Sequence, residues 1–276
     1  MLTFLAGIAM LMILVIVHEL GHLLAARACG VGVEEFSVGF GPGVKIFTIK
    51  KIPIYLRFIL LGGYVKMKSK QLPKTSSEGK NLEDATWLQK IFIFFAGCGV
   101  NLLTAVFIRI LLYWFAPIGT QFHVLSMTFT LSQCPIWYLA PVYAVKAVTV
   151  WFVQFFLGTV VGIFYMILPL VKTAPIAHGG IAGTIGLGAN IHLGLWSYLG
   201  LIYFVSIMLA SLNLLPLMPF DGGHIAVTLI RRVLGENRVS RILCKVIEIV
   251  GFVVLIMLLL NVVLSDVYDA FSFFKK

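Results

Sequence analysis

Apolar residues in this chain come in long runs broken by short polar clusters. Phe4–Ala26, Ile91–Ala116 and Val246–Leu264 each hold roughly the 20 residues a helix needs to cross a bilayer. Trp196–Leu215 is a fourth run with a few polar positions. After the first run the pattern changes. "VKIFTIKKIPIYLRFILLGGYVKM" is rich in Val, Ile, Phe and Tyr and is punctuated by Pro53 and Gly62-Gly63, which predicts two or three strands joined by turns. A sheet edge facing lipid is not tolerated, so this segment belongs at the interface or against the helices. "KSKQLPKTSSEGKNLED" reads as a loop. Lys146 to Lys172 bounds an apolar stretch with only Gln154 strongly polar. Either this stretch lies along or partly inside the membrane, or Phe122–Ala140 crosses too and pairs with it as a second helix, which would bring the crossings to six and keep both basic loops on one side.

Composition turns these runs into a fold class. Of 276 residues, 60% are hydrophobic and 12% charged, too little charge to clothe a soluble domain of this size. The expected fold is an α-helical polytopic membrane protein. It has four core transmembrane helices, one or two extra membrane-embedded segments and a small membrane-associated β-sheet after the first helix. We expect one domain over residues 1–276. Residues 1–116 hold two spans and the β-loop, 117–194 an apolar insertion, and 195–276 the last two core spans. The first run lacks a basic n-region and an A-x-A-like site, and we expect it to remain in the mature protein.

The net charge of +10 is unevenly placed. Arg27–Lys90 carries 11 Lys/Arg against 5 acids, and Arg231–Lys245 another 5 Lys/Arg, whereas Ala116–Trp196 has only Lys146 and Lys172. The positive-inside rule puts the first two segments in the cytoplasm. Basic residues flanking apolar spans should meet anionic lipid there, not nucleic acid. The four cysteines have no metal-ligand or disulfide spacing and read as small apolar fillers.

The first run contains "VIVHELGHLLAA", with His18, Glu19 and His22 among apolar neighbours. An acid at mid-membrane costs about 2.5–3.5 kcal/mol on translocon scales, so a partner or a wet pocket is expected. Residues i and i+4 share a helix face, so His18 and His22 can point both imidazoles at one zinc ion. Glu19 is turned by about 100°, placed to take a proton from water beside the ion. Catalytic zinc needs a third protein ligand. Asp221 in "NLLPLMPFDGGH" is the only carboxylate between Asp84 and Glu236. Pro216 and Pro219 break the helix before it and Gly222-Gly223 allow a tight turn after it, so it can swing towards the histidines; a solvated loop aspartate is the alternative. The Asn213 amide could donate to a developing oxyanion, or only satisfy a carbonyl freed by the break. His224 would support Asp221 or sit at the interface. His123, His178 and His192 lack partners at ligand spacing.

"HELGH", "FSVGFGPG", "LLGGYVKM", "FAGCGVN" and "NLLPLMPFDGGH" together resemble the site-2 protease family of intramembrane zinc metalloproteases, closest to the bacterial branch acting on anti-sigma factors. The likeness covers about residues 1–110 and 178–265. It implies His18, His22 and Asp221 as ligands of Zn2+, Glu19 as general base and Asn213 as a contact to substrate or transition state. It also implies a membrane-reentrant β-loop near Ile46–Met67 that holds substrate as an added strand, with Ile54, Leu56, Gly62, Gly63 and Tyr64 as candidate contacts. The substrates implied are single-pass membrane proteins, and the location a bacterial inner membrane with the site facing the cytoplasm. There are departures. Cys98 stands where the family usually has Pro, "GGIAGTIGLG" is a loose form of its G-P-I-x-I segment, and apolar sequence replaces the PDZ domains many relatives carry. The competing readings are an inactive zinc-binding membrane adaptor and a metal transporter. Glu19 argues against the first, and the lack of internal repeats against the second.

Overall fold

The computed structural model describes residues 2–70, 78–124, 127–134, 136–167 and 194–274. Helix α1 is Leu2–Ala28, followed by strands β1 (Val33–Ile49) and β2 (Ile52–Met67), then helix α2 (Trp87–Phe115). Strands β3 (Gln121–Val124) and β4 (Met127–Thr130) precede helix α3 (Ala140–Ile167). Helices α4 (Leu195–Asn213), α5 (Asp221–Leu234) and α6 (Arg238–Phe274) complete the order. Among the described residues, four helices are long and apolar enough to cross a membrane: α1, α2, α3 and α4. The expected run Val246–Leu264 lies inside α6, a single helix of 37 residues.

The chain divides into two compact units. One comprises residues 11–101 and 216–248. Within it α1 and α2 approach closely because Gly21 has no side chain. A methyl there would sit 2.5 Å from the Ala96 carbonyl oxygen and 3.0 Å from Val100. Ala25 and Ala26 of α1 form an apolar core with Val31, Val33, Phe36, Ile52, Ala85 and Ile93, which anchors the root of the sheet to the end of the helix.

The sheet is two strands, not three, and its turn is not where the glycines suggested. β1 and β2 join at Lys50-Lys51, both with positive φ (46° and 69°), the backbone signature of a two-residue hairpin turn. Gly62-Gly63 lies within β2. Both strands shift register repeatedly and fold back on themselves, so Phe36, Ser37 and Val38 have partners on two sides: Val65, Tyr64 and Gly63 on one, Ile54, Tyr55 and Leu56 on the other. Ile54 and Leu56 face Phe47 and Val44 on their remaining side. Gly63–Met67 is paired only with β1 and forms an edge. Buried Ser37 accepts from Arg57 Nε at 2.8 Å, and Arg57 also pairs with Glu35, which takes a hydrogen bond from the Tyr64 hydroxyl at 2.7 Å. Towards the turn the sheet is apolar and exposed: Val44, Ile46, Phe47, Ile49, Phe58 and Ile59 all present their side chains outward, Phe58 at 79%.

The other unit comprises residues 1–10, 102–215 and 249–276. Here the expected crossing at Phe122–Ala140 is corrected. That stretch is the β3–β4 hairpin and a 3-10 turn at Trp137–Leu139, ahead of α3. The reason lies in its period. Phe122 pairs with Phe129 and His123 with Thr128, so apolar and polar positions alternate as in a strand. The hairpin aromatics pack with Phe204 of α4 and Trp151 of α3, with ring centroids 4.8 Å apart for Phe129–Phe204 and 5.6 Å for Trp151–Phe204. Buried Arg109 of α2 donates to the Ser132 carbonyl and hydroxyl at 3.0 and 2.7 Å and lies 4.2 Å from the Tyr113 ring centroid, contacts that offset part of the cost of a charge inside an apolar helix. "GGIAGTIGLG", the end of the Lys146–Lys172 stretch, His178 and His192 lie outside the described residues.

Candidate functional site

All the carboxylate and imidazole groups of interest fall within the unit formed by residues 11–101 and 216–248. His18 and His22 are successive turns of α1, 6% and 5% exposed. Their Nε2 atoms lie 3.1 Å apart. Asp221 Oδ2 is 3.0 Å from His18 Nε2 and 3.2 Å from His22 Nε2. Asp221 reaches them because the chain changes direction before it. Phe220 is extended and caps α5, whose first residue is Asp221. Gly223 lies on the preceding backbone, where a methyl would be 2.5 Å from the Leu217 carbonyl carbon and 2.6 Å from Met218 N.

Three donor atoms 3.0–3.2 Å apart form a nearly equilateral triangle. For metal–ligand bonds of about 2.0–2.1 Å, the edge of a tetrahedral face is about 3.3–3.4 Å. The two imidazoles and the carboxylate therefore fit one face of a zinc site once the three atoms spread by about 0.1–0.4 Å. The wall beside it is Gly97 of α2. A methyl there would lie 2.7 Å from His18 Nε2 and closer still to His22 Nε2. His22 Nδ1–H donates to the Ile93 carbonyl at 2.8 Å, which leaves the Nε2 lone pair facing the triangle.

Glu19 lies between this cluster and the sheet. Its carboxylate accepts a hydrogen bond from the Val65 backbone N–H on the edge strand. A methyl on Gly63 would come within 3.5 Å of Glu19 Cγ and Val15 Cγ1, and within 2.7 Å of the Ser37 carbonyl oxygen, so only glycine lets the strand pass this close. Of the five β-loop candidates, Gly63 and Tyr64 lie on the edge, and Gly62 just before it, against the Phe40 ring. Ile54 and Leu56 do not. Each has strand partners on both flanks, so neither has free backbone for an added strand.

Asn213 belongs to the other unit and ends α4, with its Nδ2 donating to the Leu209 carbonyl at 3.0 Å. His224 stacks on Phe94 (centroids 4.6 Å, 12°) and lines a cavity of about 340 Å³ with Trp87, Lys90, Arg231 and Arg232. Three contributors escaped the sequence reading: Gly97, Asn101, whose side-chain amide is 3.3 Å from His18 Nδ1, and Cys98, whose Sγ is 3.9 Å from Asp221 Oδ2. All three lie in "FAGCGVN", where small residues every few positions signal close helix contact.

Comparison with known proteins places the chain in a family. The chain is 38% identical over 125 residues to a Helicobacter pylori protein named "Putative zinc metalloprotease", a match taking in 43% of this chain and 34% of the relative. A Campylobacter jejuni protein of the same description is 40% identical over 114 residues, 40% of this chain and 30% of the relative. A third, from Borreliella burgdorferi, is 41% identical over 98 residues, 33% and 23% of the two chains. The chain thus spans about a third or less of the length of the curated relatives it matches. The sequence pattern of peptidase family M50 matches residues 6–258, and the chain belongs to that family.

Proposed function

We propose that this protein is an integral membrane zinc metalloprotease that hydrolyses peptide bonds within or next to the transmembrane segment of single-pass membrane proteins, as in regulated intramembrane proteolysis. The observation that carries the proposal is the convergence of His18, His22 and Asp221, two segments about 200 residues apart in sequence, on one buried triangle of donor atoms. A bound zinc ion supplies a Lewis acid that acidifies water and polarises a carbonyl. His18, His22 and Asp221 would hold it. Glu19 takes the proton from the attacking water and returns it to the leaving amine. The edge strand Gly63–Met67 lines the substrate up beside Glu19, giving an unwound segment backbone hydrogen bonds in place of its helical ones.

The exposed apolar side chains of the sheet and the four long apolar helices favour a membrane setting. The basic segments 27–90 and 231–245 favour a cytoplasmic site, with anionic lipid at those loops, in a bacterial inner membrane.

The test is cleavage of a generic single-pass peptide by the purified protein in detergent or liposomes. Cleavage should stop on chelation and return with zinc; cleavage indifferent to chelation would refute the metal reading. Val65→Pro, which removes the backbone N–H that holds the Glu19 carboxylate, should slow cleavage by about tenfold with zinc content unchanged. An unaltered rate would show that this hydrogen bond does not position the base.

A further inference from the structure

From the geometry around His18 we infer that Asn101 is a positioning residue. Its side-chain carbonyl accepts a hydrogen bond from His18 Nδ1–H and so holds the lone pair of His18 Nε2 towards the metal. The inference rests on the zinc reading above and adds a residue to it.

A neutral imidazole carries one N–H and one lone pair. The Nε2 atoms of both histidines face the triangle, so a ring that ligates through Nε2 must keep its hydrogen on Nδ1, and that hydrogen needs an acceptor. His22 has one in the Ile93 carbonyl, a group that can only accept. His18 Nδ1 faces the Asn101 side-chain amide at 3.3 Å, and Asn101 is fully buried. Ile93 and Asn101 both belong to α2, eight residues apart, so one helix addresses the outward nitrogens of both rings. Gly97, midway between them, lets that helix lie against the ring edges.

An amide can meet an imidazole nitrogen in two ways. Nδ2 is the nearer atom here, and a half-turn of the amide exchanges it with Oδ1. With Nδ2 towards the ring, Nδ1 must accept and the hydrogen sits on Nε2, where it blocks metal ligation. With Oδ1 towards the ring, Nδ1–H donates and Nε2 is free to ligate. Zinc binding therefore selects the Oδ1 arrangement. An outer partner of this kind changes metal affinity by about 10–100-fold.

The test compares the full-length protein with Asn101→Leu, of similar volume but with no acceptor, and Asn101→Asp, which keeps one. Zinc affinity is read by competition with a chromophoric chelator, and the d–d spectrum of the Co2+-substituted proteins reports ligand geometry. Asn101→Leu should bind zinc about 10–100-fold more weakly. Asn101→Asp should bind within about threefold of the parent or more tightly, with the parent Co2+ spectrum, because a carboxylate is the stronger acceptor. Unchanged affinity in Asn101→Leu would overturn the inference and leave the metal site standing. Equal weakening in both variants would also overturn it, since burial and not the acceptor would then matter. If Asn101→Leu does not fold, Asn101→Asp still decides: binding more than about threefold weaker than the parent would overturn the inference. A parent protein that binds no zinc would fail the underlying reading instead.

Discussion

Glu19→Gln should keep its zinc and lose peptide hydrolysis by at least about 100-fold, the lower end of what a positioned general base contributes. The amide preserves the shape of the carboxylate and can still take the hydrogen bond from Val65 N–H. It cannot take a proton from water. Metal content should stay at the parent level, because Glu19 stands beside the three-donor triangle and is not one of its corners. Single-turnover cleavage of a single-pass peptide, with zinc measured on the same sample, checks both halves. Cleavage at the parent rate by the purified variant would reject Glu19 as the base and leave Asp221 as the nearest other carboxylate. Loss of zinc along with activity would make Glu19 a ligand.

The second large effect concerns a residue without chemistry. Gly97→Ala should weaken zinc binding by about 5-fold to 150-fold, the consequence of about 1–3 kcal/mol of overpacking against the ligand rings. Alanine is the better helix former by about 1 kcal/mol, so helix propensity alone predicts a more stable protein. The added methyl, however, lands 2.7 Å from His18 Nε2. His22 is tied to Ile93 and His18 packs against Asn101, so neither ring moves away freely. Gly99, two residues on in the same helix, is the control, because a methyl there meets Phe95 at an ordinary 3.5 Å. Gly99→Ala should therefore raise thermal stability with zinc affinity unchanged. Isothermal competition for zinc and thermal unfolding of the two variants separate the effects. Equal zinc affinity in Gly97→Ala and Gly99→Ala would mean that the wall of the site yields.

Some of this site is legible in the sequence because its rules are local. His18 and His22 share a helix face by their spacing alone. Asp221 stands out because no other carboxylate occurs between Asp84 and Glu236 and because prolines and glycines interrupt its segment. What stayed hidden depends on long-range contacts. The Ile93 carbonyl carries no sequence signal, since every residue has one. Cys98 reads as filler, yet it sits against Asp221. Strand content after α1 could be read from composition, but the fold-back that makes Gly63–Met67 an edge and places Ile54 and Leu56 inside the sheet could not. That depends on register shifts and on the turn at Lys50-Lys51, where no glycine marks the positive φ. At Phe122–Ala140 high apolar content pointed to a helix, while the alternation of Phe122, His123, Thr128 and Phe129 already carried the strand period.

Whether one ion sits on His18, His22 and Asp221 is read by X-ray absorption at the zinc edge of the purified protein. The spectrum should show about one zinc per chain with only nitrogen and oxygen neighbours at about 2.0–2.2 Å and the outer-shell scattering of two imidazoles, all lost in Asp221→Ala. A sulfur neighbour at about 2.3 Å, which would make Cys98 a ligand, or zinc retained unchanged by Asp221→Ala, would contradict it.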